Sequence, residues 1–282
     1  MALICIIIGL ILERSVSTVI QYRNFNWFKN YSDWLVEHLP GLSNQGSSSI
    51  VILLLPVMLL TGILQGLLDG VLLGLLSAVF GLAIFLYCLG PGDLNKEIDL
   101  YLEARENGDD EQAQNYASII MGDDASRSPD QQIVNVMHSI LYQSNDRFFA
   151  VIFWFVVLGP FGALLYRLTS YTKLHSTNFT LSSAAKRLQA ILAWAPAHLV
   201  AMAYALTGNY EGASASFREK QKYEDLGESN YYTLISAGLG ALRDCAPGEE
   251  TSCIVSTRGL VLRALVVWLA AIAGLTLIGW MA

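Results

Sequence analysis

Charged side chains are scarce in this sequence, and their scarcity excludes an ordinary soluble domain. Asp, Glu, Lys and Arg make up 15% of the 282 residues, whereas a soluble domain carries about 25%. The shortage is uneven, because residues 49–92 contain a single acidic or basic side chain, Asp69. Hydrophobic residues form 54% of the chain and are gathered into long runs, as a lipid bilayer requires.

Motifs for catalysis and cofactor binding are also missing. Gly-x-x-x-x-Gly-Lys-Ser/Thr, Gly-x-Gly-x-x-Gly and Gly-x-Ser-x-Gly do not occur, so no standard nucleotide loop is predicted. The four cysteines form no Cys-x-x-Cys pair and no Cys/His ligand set, which argues against a zinc site. Asp123 and Asp124 offer two carboxylates that could hold a divalent cation, but a solvated acidic face is the commoner meaning of such a pair. No catalytic residue, metal, cofactor or nucleic-acid partner is expected.

Apolar runs of membrane-spanning length are what the sequence does contain. A transmembrane helix needs about 20 mostly apolar residues to cross a hydrocarbon core of about 30 Å. Six runs approach or reach that length, and the first and fifth are the weakest. The runs cover residues 1–12, 50–68, 71–89, 148–168, 188–206 and 260–282. Five to six spans are therefore predicted, with the first read as a retained membrane helix that includes residues up to 20.

The fold class predicted is all-α. Strands of a membrane barrel alternate apolar and polar residues, but residues 51–55 and 71–76 are apolar throughout. A continuous helix satisfies its own backbone groups in lipid. The prediction is a polytopic helical membrane protein with helical extramembrane hairpins.

Polar stretches divide the chain into further segments. In residues 91–147 and 207–258 the apolar residues recur at helical spacing, and Asp109 and Asn209, each after a glycine, are candidate N-caps. The predicted segments are an N-terminal membrane helix (1–20), an aromatic amphipathic interfacial segment (21–49), a membrane hairpin (50–90), an acidic helical extramembrane segment (91–147), two membrane helices with a basic connecting loop (148–206), a helical extramembrane segment (207–258) and a C-terminal membrane helix (259–282).

The aromatic cluster in residues 21–49 allows two interpretations. Six aromatic side chains lie between Tyr22 and Trp34. Such rings favour the headgroup level of a membrane, which predicts a helix in the interface. Packing of the same rings against the helix bundle is equally compatible with the sequence.

The side of the membrane is indicated by charge and cysteine. Residues 167–187 carry four basic side chains and no acid, which favours the cytoplasmic side and places the long polar segments opposite. There, Cys245 and Cys253 are close enough to form a disulfide, which needs an oxidising compartment. Arg258 and Arg263, which flank the last span, favour the opposite orientation.

The stretch GPFGALLYR (159–167), preceded by Asp146 and FFAVIFW (148–154), resembles the AmpE branch of the AmpE/CobD (CbiB) membrane family. An apolar start ending in Glu13-Arg14, Gly122 after a helical hairpin, and WAPAHL (194–199) agree with it over nearly the whole chain. The resemblance implies a bacterial inner (plasma) membrane protein, multi-pass, that modulates β-lactamase induction and the antibiotic response.

The CobD branch forms adenosylcobinamide phosphate, and this chain departs from its pattern. Where that branch continues Asn-Thr-Leu-Asp, this sequence has residues 170–173, Ser-Tyr-Thr-Lys; its paired aspartates, asparagine and arginine fall at Gln189, Ala190, Ala193 and His198; its glutamates fall near His138 and Tyr142. An ATP- and magnesium-using ligase needs carboxylates for the cation. The resemblance therefore implies a regulatory or sensory protein without catalysis, and the alternative is a membrane enzyme of the cobinamide-synthase type acting on a small or nucleotide-like ligand. The partners expected are the lipid bilayer and another membrane protein or a cell-wall-derived small molecule.

Ionisable residues at the spans define a candidate ligand or polar intramembrane site. A charge at the centre of a span costs about 2.5–3.5 kcal/mol, so those that occur usually face a protein interior. The candidates are Glu13, Arg14, Asp146, Arg167 and His198. Our hypothesis is that Arg167 or Arg14 pairs with Glu13 or Asp146 at one end of the bundle; in the simpler alternative the arginines extend to the headgroups.

Overall fold

Helices form the regular secondary structure of this chain in a computed structural model. The structure describes residues 2–15, 23–39, 46, 48–68, 74–90, 92–122, 129–218, 225–242 and 250–278, and within these ranges no strand occurs. The predicted all-α fold class is confirmed. The helices are α1 (Ala2–Ser15), α2 (Asn26–His38), α3 (Ser48–Leu68), α4 (Leu75–Cys88), α5 (Leu94–Glu106), α6 (Asp110–Met121), α7 (Pro129–Ser144), a π-helical turn (Asn145–Phe149), α8 (Ala150–His175), α9 (Phe179–Thr207), α10 (Tyr210–Arg218), α11 (Leu226–Ala241) and α12 (Glu250–Leu277).

Within the ranges that the structure describes, four helical stretches are long and apolar enough to cross a membrane. They are Ser48–Leu68, Gln132–His175, Phe179–Thr207 and Thr251–Leu277. Two shorter apolar helices, Ala2–Glu13 and Leu75–Cys88, accompany them. All six predicted apolar runs thus contain helix, and the protein is a multi-pass helical membrane protein.

Helix α3 shows how a span divides its apolar side chains between protein and lipid. Its 21 residues rise about 1.5 Å each and so match the hydrocarbon thickness. Ile50, Leu53 and Met58 are buried, whereas Leu59 and Ile63 are exposed. Buried positions recur at helical spacing, so one face packs against protein and the other meets lipid tails.

The chain is arranged in two compact units. The first comprises Met1–Pro91, Arg147–Pro196 and Ile272–Ala282, and the second comprises Gly92–Asp146 and Ala197–Ala271. The first contains α1 to α4 and α8, and the second contains the polar helices α5, α6, α10 and α11. The finer segment boundaries taken from the sequence remain predictions.

In the first unit, α2 packs one aromatic face inward and presents another outward. The Phe28 ring is buried and lies 6.2 Å from the Tyr171 ring centroid. Trp27 donates its Nε1–H to the Tyr87 hydroxyl at 2.7 Å, while Trp34 is 53% exposed. Packing against the bundle is therefore observed for the Phe28 face, and an interfacial position of the Trp34 face remains a prediction.

Helix α8 is interrupted at its glycine and proline. Gly159 has φ 65° and ψ −153°, a region that only glycine adopts without strain. Pro160 follows and lacks the N–H that would continue the helical bonding. A side chain at position 159 would meet Gln65 of α3, whose Nε2 would lie 3.4 Å from the added Cβ. The span is therefore bent at its centre against α3.

In the second unit, acidic and amide side chains start the polar helices as predicted. Asp109 accepts from the Gln112 N–H at 3.0 Å at the start of α6, and Asn209 accepts from the Gly212 N–H at 3.2 Å at the start of α10. Each bond satisfies a backbone donor that the first helical turn leaves unpaired. The predicted caps are confirmed.

The buried part of the second unit combines close backbone contact with a hydroxyl pair. A Cβ on Gly212 of α10 would lie 2.2 Å from the carbonyl oxygen of Gly240 in α11, so only glycine permits this approach. The Tyr204 hydroxyl lies 2.8 Å from Ser144 Oγ, and both groups bond to the Leu141 carbonyl. Burial also raises the pKa of the Tyr231 phenol, whose ring lies 5.3 Å from that of Tyr142.

Candidate functional site

Four charged side chains are buried in the described part of the chain, and all belong to the first unit. They are Glu13, Arg23, Arg147 and Arg167. Their hydrogen bonds meet at residues 88–90, where α4 ends. We call these four residues together with Cys88 and Gly90 the arginine cluster.

Glu13 and Arg23 form the acidic end of the cluster. Glu13 lies in the last turn of α1, and Arg23 precedes α2. Arg23 Nη1 donates to Glu13 Oε1 at 2.9 Å, and the two side chains are 1% and 9% exposed respectively. The same nitrogen donates to the Gly90 carbonyl oxygen at 2.7 Å. This buried pair therefore connects α1, the chain before α2 and the end of α4.

Arg167 joins the end of α4 to α8. Its Nε donates to the Cys88 carbonyl oxygen at 2.6 Å, and its Nη2 lies 3.5 Å from the Arg147 carbonyl oxygen. The last carbonyls of a helix have no intrahelical partner, and cations are favourable there because of the helix dipole. Arg167 thus satisfies a backbone group that lipid would leave unpaired.

Arg147 and Gly90 approach each other through their backbones. The Gly90 N–H donates to the Arg147 carbonyl oxygen at 3.2 Å. A Cβ on Gly90 would lie 2.6 Å from both Cβ and Cγ of Arg147. Arg147 belongs to the π-helical turn Asn145–Phe149, a form of local irregularity that occurs frequently at functional sites.

One edge of the Arg23 guanidinium, formed by Nε and Nη2, is not used by the other residues of the arginine cluster. Its Nε and Nη2 are buried and have no hydrogen-bond partner among the described residues. The cluster therefore offers donors to an anionic group. No group of three or more His, Cys, Asp or Glu side chains able to hold a metal occurs within the described ranges, and guanidiniums repel metal cations.

The structure brings together some of the residues that the sequence indicated. Glu13 and Arg167 both lie in the arginine cluster, where the partner shown for Glu13 is Arg23. Asp146 and His198 are half-buried and belong to the second unit. The side chain of Arg14 lies outside the described part of the structure. The hypothesis that Arg167 or Arg14 pairs with Glu13 or Asp146 stays a prediction.

Arg23 and Arg147 were missed by sequence reasoning. Both lie in polar stretches beside apolar runs, where an arginine usually extends to the headgroups. The available signal was position, because each basic residue flanks an apolar helix that must end inside protein. Only a contact between distant parts of the chain distinguishes such a residue from a surface one.

The sequence predicted a disulfide between Cys245 and Cys253. Cys253 is disulfide-bonded, whereas Cys5 and Cys88 are free and buried. Cys245 lies outside the described residues. The Cys245–Cys253 bridge therefore remains a prediction.

Comparison with known proteins places these features in a family. A chain named "Cobalamin biosynthesis protein CobD" from Stutzerimonas stutzeri is 29% identical over 231 residues, which cover 76% of this chain and 72% of that protein. A protein of the same name from Chromobacterium violaceum is 28% identical over 206 residues, covering 70% of this chain and 63% of that protein. No solved structure matches. The family described as "Regulatory signalling modulator protein AmpE" matches residues 1–279. The chain therefore belongs to the AmpE family, within a wider relationship to CobD.

Proposed function

We propose that this protein is a regulatory or sensory protein of the bacterial inner membrane that modulates β-lactamase induction and is not catalytic. The observation that carries the proposal is the AmpE family match over residues 1–279. The helical spans supply the membrane location that such a role requires.

The contact between α8 and α9 supports a role other than ligation. Ser170 and Gln189 stand where the cobinamide-forming branch has an asparagine and an aspartate. In this structure Gln189 Nε2 lies 3.4 Å from Ser170 Oγ, and both residues are buried. A magnesium-dependent ligase needs carboxylates to hold the cation, and these two neutral groups cannot provide that charge.

The test is an induction assay in the host bacterium. Deletion of the gene should change β-lactamase activity measured after exposure to a sub-inhibitory β-lactam, and the wild-type gene on a plasmid should restore it. Unchanged induction in the deletion strain would contradict the regulatory role.

The CobD-named relatives favour a second candidate, a membrane enzyme of the cobinamide-synthase type. This candidate has its own test: expression of the chain in a strain that lacks its cobinamide-forming enzyme. Restored growth without added cobinamide would establish the enzyme and refute the non-catalytic proposal. We expect no growth, and we expect that Ser170→Asn with Gln189→Asp does not restore it alone, since further carboxylates are absent from the matched positions.

A further inference from the structure

One edge of the Arg23 guanidinium is buried and unused. Nη1 serves Glu13 and the Gly90 carbonyl, but Nε and Nη2 find no acceptor in the described chain. The side chain is 1% exposed, so bulk water does not solvate these donors. Leaving a buried donor without a partner is unfavourable, and more so when the donor is charged. This edge therefore requires an acceptor.

The two unused nitrogens have a definite geometry. Nε–H and the neighbouring Nη2–H lie on the same side of the planar guanidinium and point nearly parallel, away from Nη1. This fork matches two oxygens of one carboxylate or phosphate and binds them bidentately. A single carbonyl or hydroxyl would satisfy only half of it.

The buried charges favour an anion with more than one negative charge. Three guanidiniums and one carboxylate are the buried charged groups of the described chain. Cations still outnumber carboxylates when the half-buried Asp146, which precedes Arg147, is counted with them. Burying cations in excess is costly, and a phosphate monoester carries about −1.5 to −2 at pH 7. A phosphoryl group therefore offsets the excess better than a carboxylate.

We propose that the Arg23 edge of the arginine cluster binds a phosphoryl oxyanion through Nε and Nη2. Glu13 and the Gly90 carbonyl hold the opposite side of the guanidinium in place, and Arg147 and Arg167 add positive charge. This proposal rests on the proposed function, because the phosphoryl group is the signal that the regulatory protein detects. The phosphoryl group belongs either to a soluble phosphorylated compound or to the headgroup of an anionic lipid.

Binding by the isolated protein tests this site. The full chain, purified in a maltoside detergent and a phosphate-free buffer, is titrated with inorganic phosphate by calorimetry, and with phosphatidic acid, whose headgroup is a phosphate monoester, followed by native mass spectrometry. We expect saturable binding of at least one of the two. Arg23→Lys keeps the charge but loses the fork, so it should weaken that binding about tenfold or more. The matched control Arg258→Lys, at a partly exposed arginine paired with Asp99, should bind as the wild type does.

Each outcome decides the proposal. Phosphate binding that depends on Arg23 identifies a soluble ligand, and phosphatidic acid retention that depends on Arg23 identifies a lipid. Absence of both, equal binding by Arg23→Lys, or binding of acetate in preference to phosphate would overturn the phosphoryl site. If Arg23→Lys does not fold, a phosphate-dependent rise in the wild-type unfolding temperature above that given by equal chloride replaces it, and its absence overturns the site.

The binding and induction experiments fail independently. Arg23-dependent phosphate binding together with unchanged β-lactamase induction in the deletion strain would refute the regulatory function and leave the anion site standing. Altered induction without any phosphoryl binding would have the opposite meaning.

Discussion

Arg167 on α8 donates a hydrogen bond from Nε to the carbonyl oxygen of Cys88, 2.6 Å away at the end of α4. The two residues are 79 positions apart in the chain. A charged side chain from one apolar helix therefore completes the backbone bonding of another. Both residues are buried, so loss of the arginine leaves a buried carbonyl without this bond.

Arg167→Ala should destabilise the protein by about 1–3 kcal/mol, the cost of leaving a buried acceptor unpaired. The measurement is the thermal unfolding temperature in maltoside micelles. Lys173→Ala, six residues later on the same helix, is the matched control and should change stability little. Equal, small effects of the two substitutions would show that Arg167 only extends to the headgroups.

The Glu13–Arg23 pair should show strong energetic coupling. Removing one member of a buried ion pair leaves the other buried charge without this counter-ion, which costs about 3–5 kcal/mol. Removing both avoids part of that cost, so the double variant Glu13→Ala/Arg23→Ala should be less destabilised than the sum of the single variants. The free energies come from reversible denaturant unfolding.

A second cycle on an exposed pair provides the control for Glu13 and Arg23. Arg105 Nη1 lies 3.5 Å from Asp110 Oδ1, and the Asp110 side chain is 90% exposed. Solvent screens such a pair, so its coupling should be close to zero. Similar coupling in the two cycles would contradict the assignment of Glu13–Arg23 as a buried ion pair.

Gly90→Ala should disrupt the arginine cluster by steric overlap. The added methyl group would lie 2.6 Å from Cβ and Cγ of Arg147, and these atoms sit too near the backbone to move freely. Overpacking of this kind typically costs about 1–3 kcal/mol. Gly62→Ala is the control, because a Cβ there meets nothing within 4 Å. We expect Gly90→Ala to lower the unfolding temperature and Gly62→Ala to leave it unchanged. Equal unfolding temperatures of the two variants would refute the close contact between Gly90 and Arg147.

The sequence predicted the helices well because their causes are local. Apolar runs such as 50–68 exceed what a soluble core needs, and α3 occupies residues 48–68. Asp109 and Asn209 cap helices through bonds to residues three positions later. Each of these features depends on neighbours in the chain, so periodicity and residue type suffice to find it.

The site was predicted only in part because its partners are distant in sequence. Glu13 and Arg167 drew attention as charges at the edges of apolar runs. Arg23 looked like a surface residue, although its main-chain partner Gly90 lies 67 positions away. No local pattern distinguishes a buried arginine that bonds to the end of a remote helix from one at the lipid headgroups.

The last prediction concerns the cysteines. Cys253 is disulfide-bonded and Cys5 and Cys88 are free, so protein extracted with a thiol blocker and denatured without reductant should carry two labelled cysteines, at positions 5 and 88. Reduction should expose two more. Trypsin cuts after Arg243 and Arg258, which leaves both remaining cysteines on one peptide, residues 244–258. That peptide should be lighter by two hydrogen atoms than its reduced form.

An intrachain Cys245–Cys253 bridge would also inform topology, because disulfides persist in oxidising compartments and are rare in the cytosol. The basic residues near the connection, which lie in the last turns of α8 and the first turns of α9, favour the cytoplasmic side for that end of the helices, but Arg167 is buried in the arginine cluster and adds nothing to an exposed charge there. The oxidation state of residues 244–258 therefore carries more weight than the charge count. Labelling of both Cys245 and Cys253 by the thiol blocker before reduction would refute the bridge. The periplasmic placement of residues 207–258 would then be supported only by the basic residues Lys173, Lys186 and Arg187.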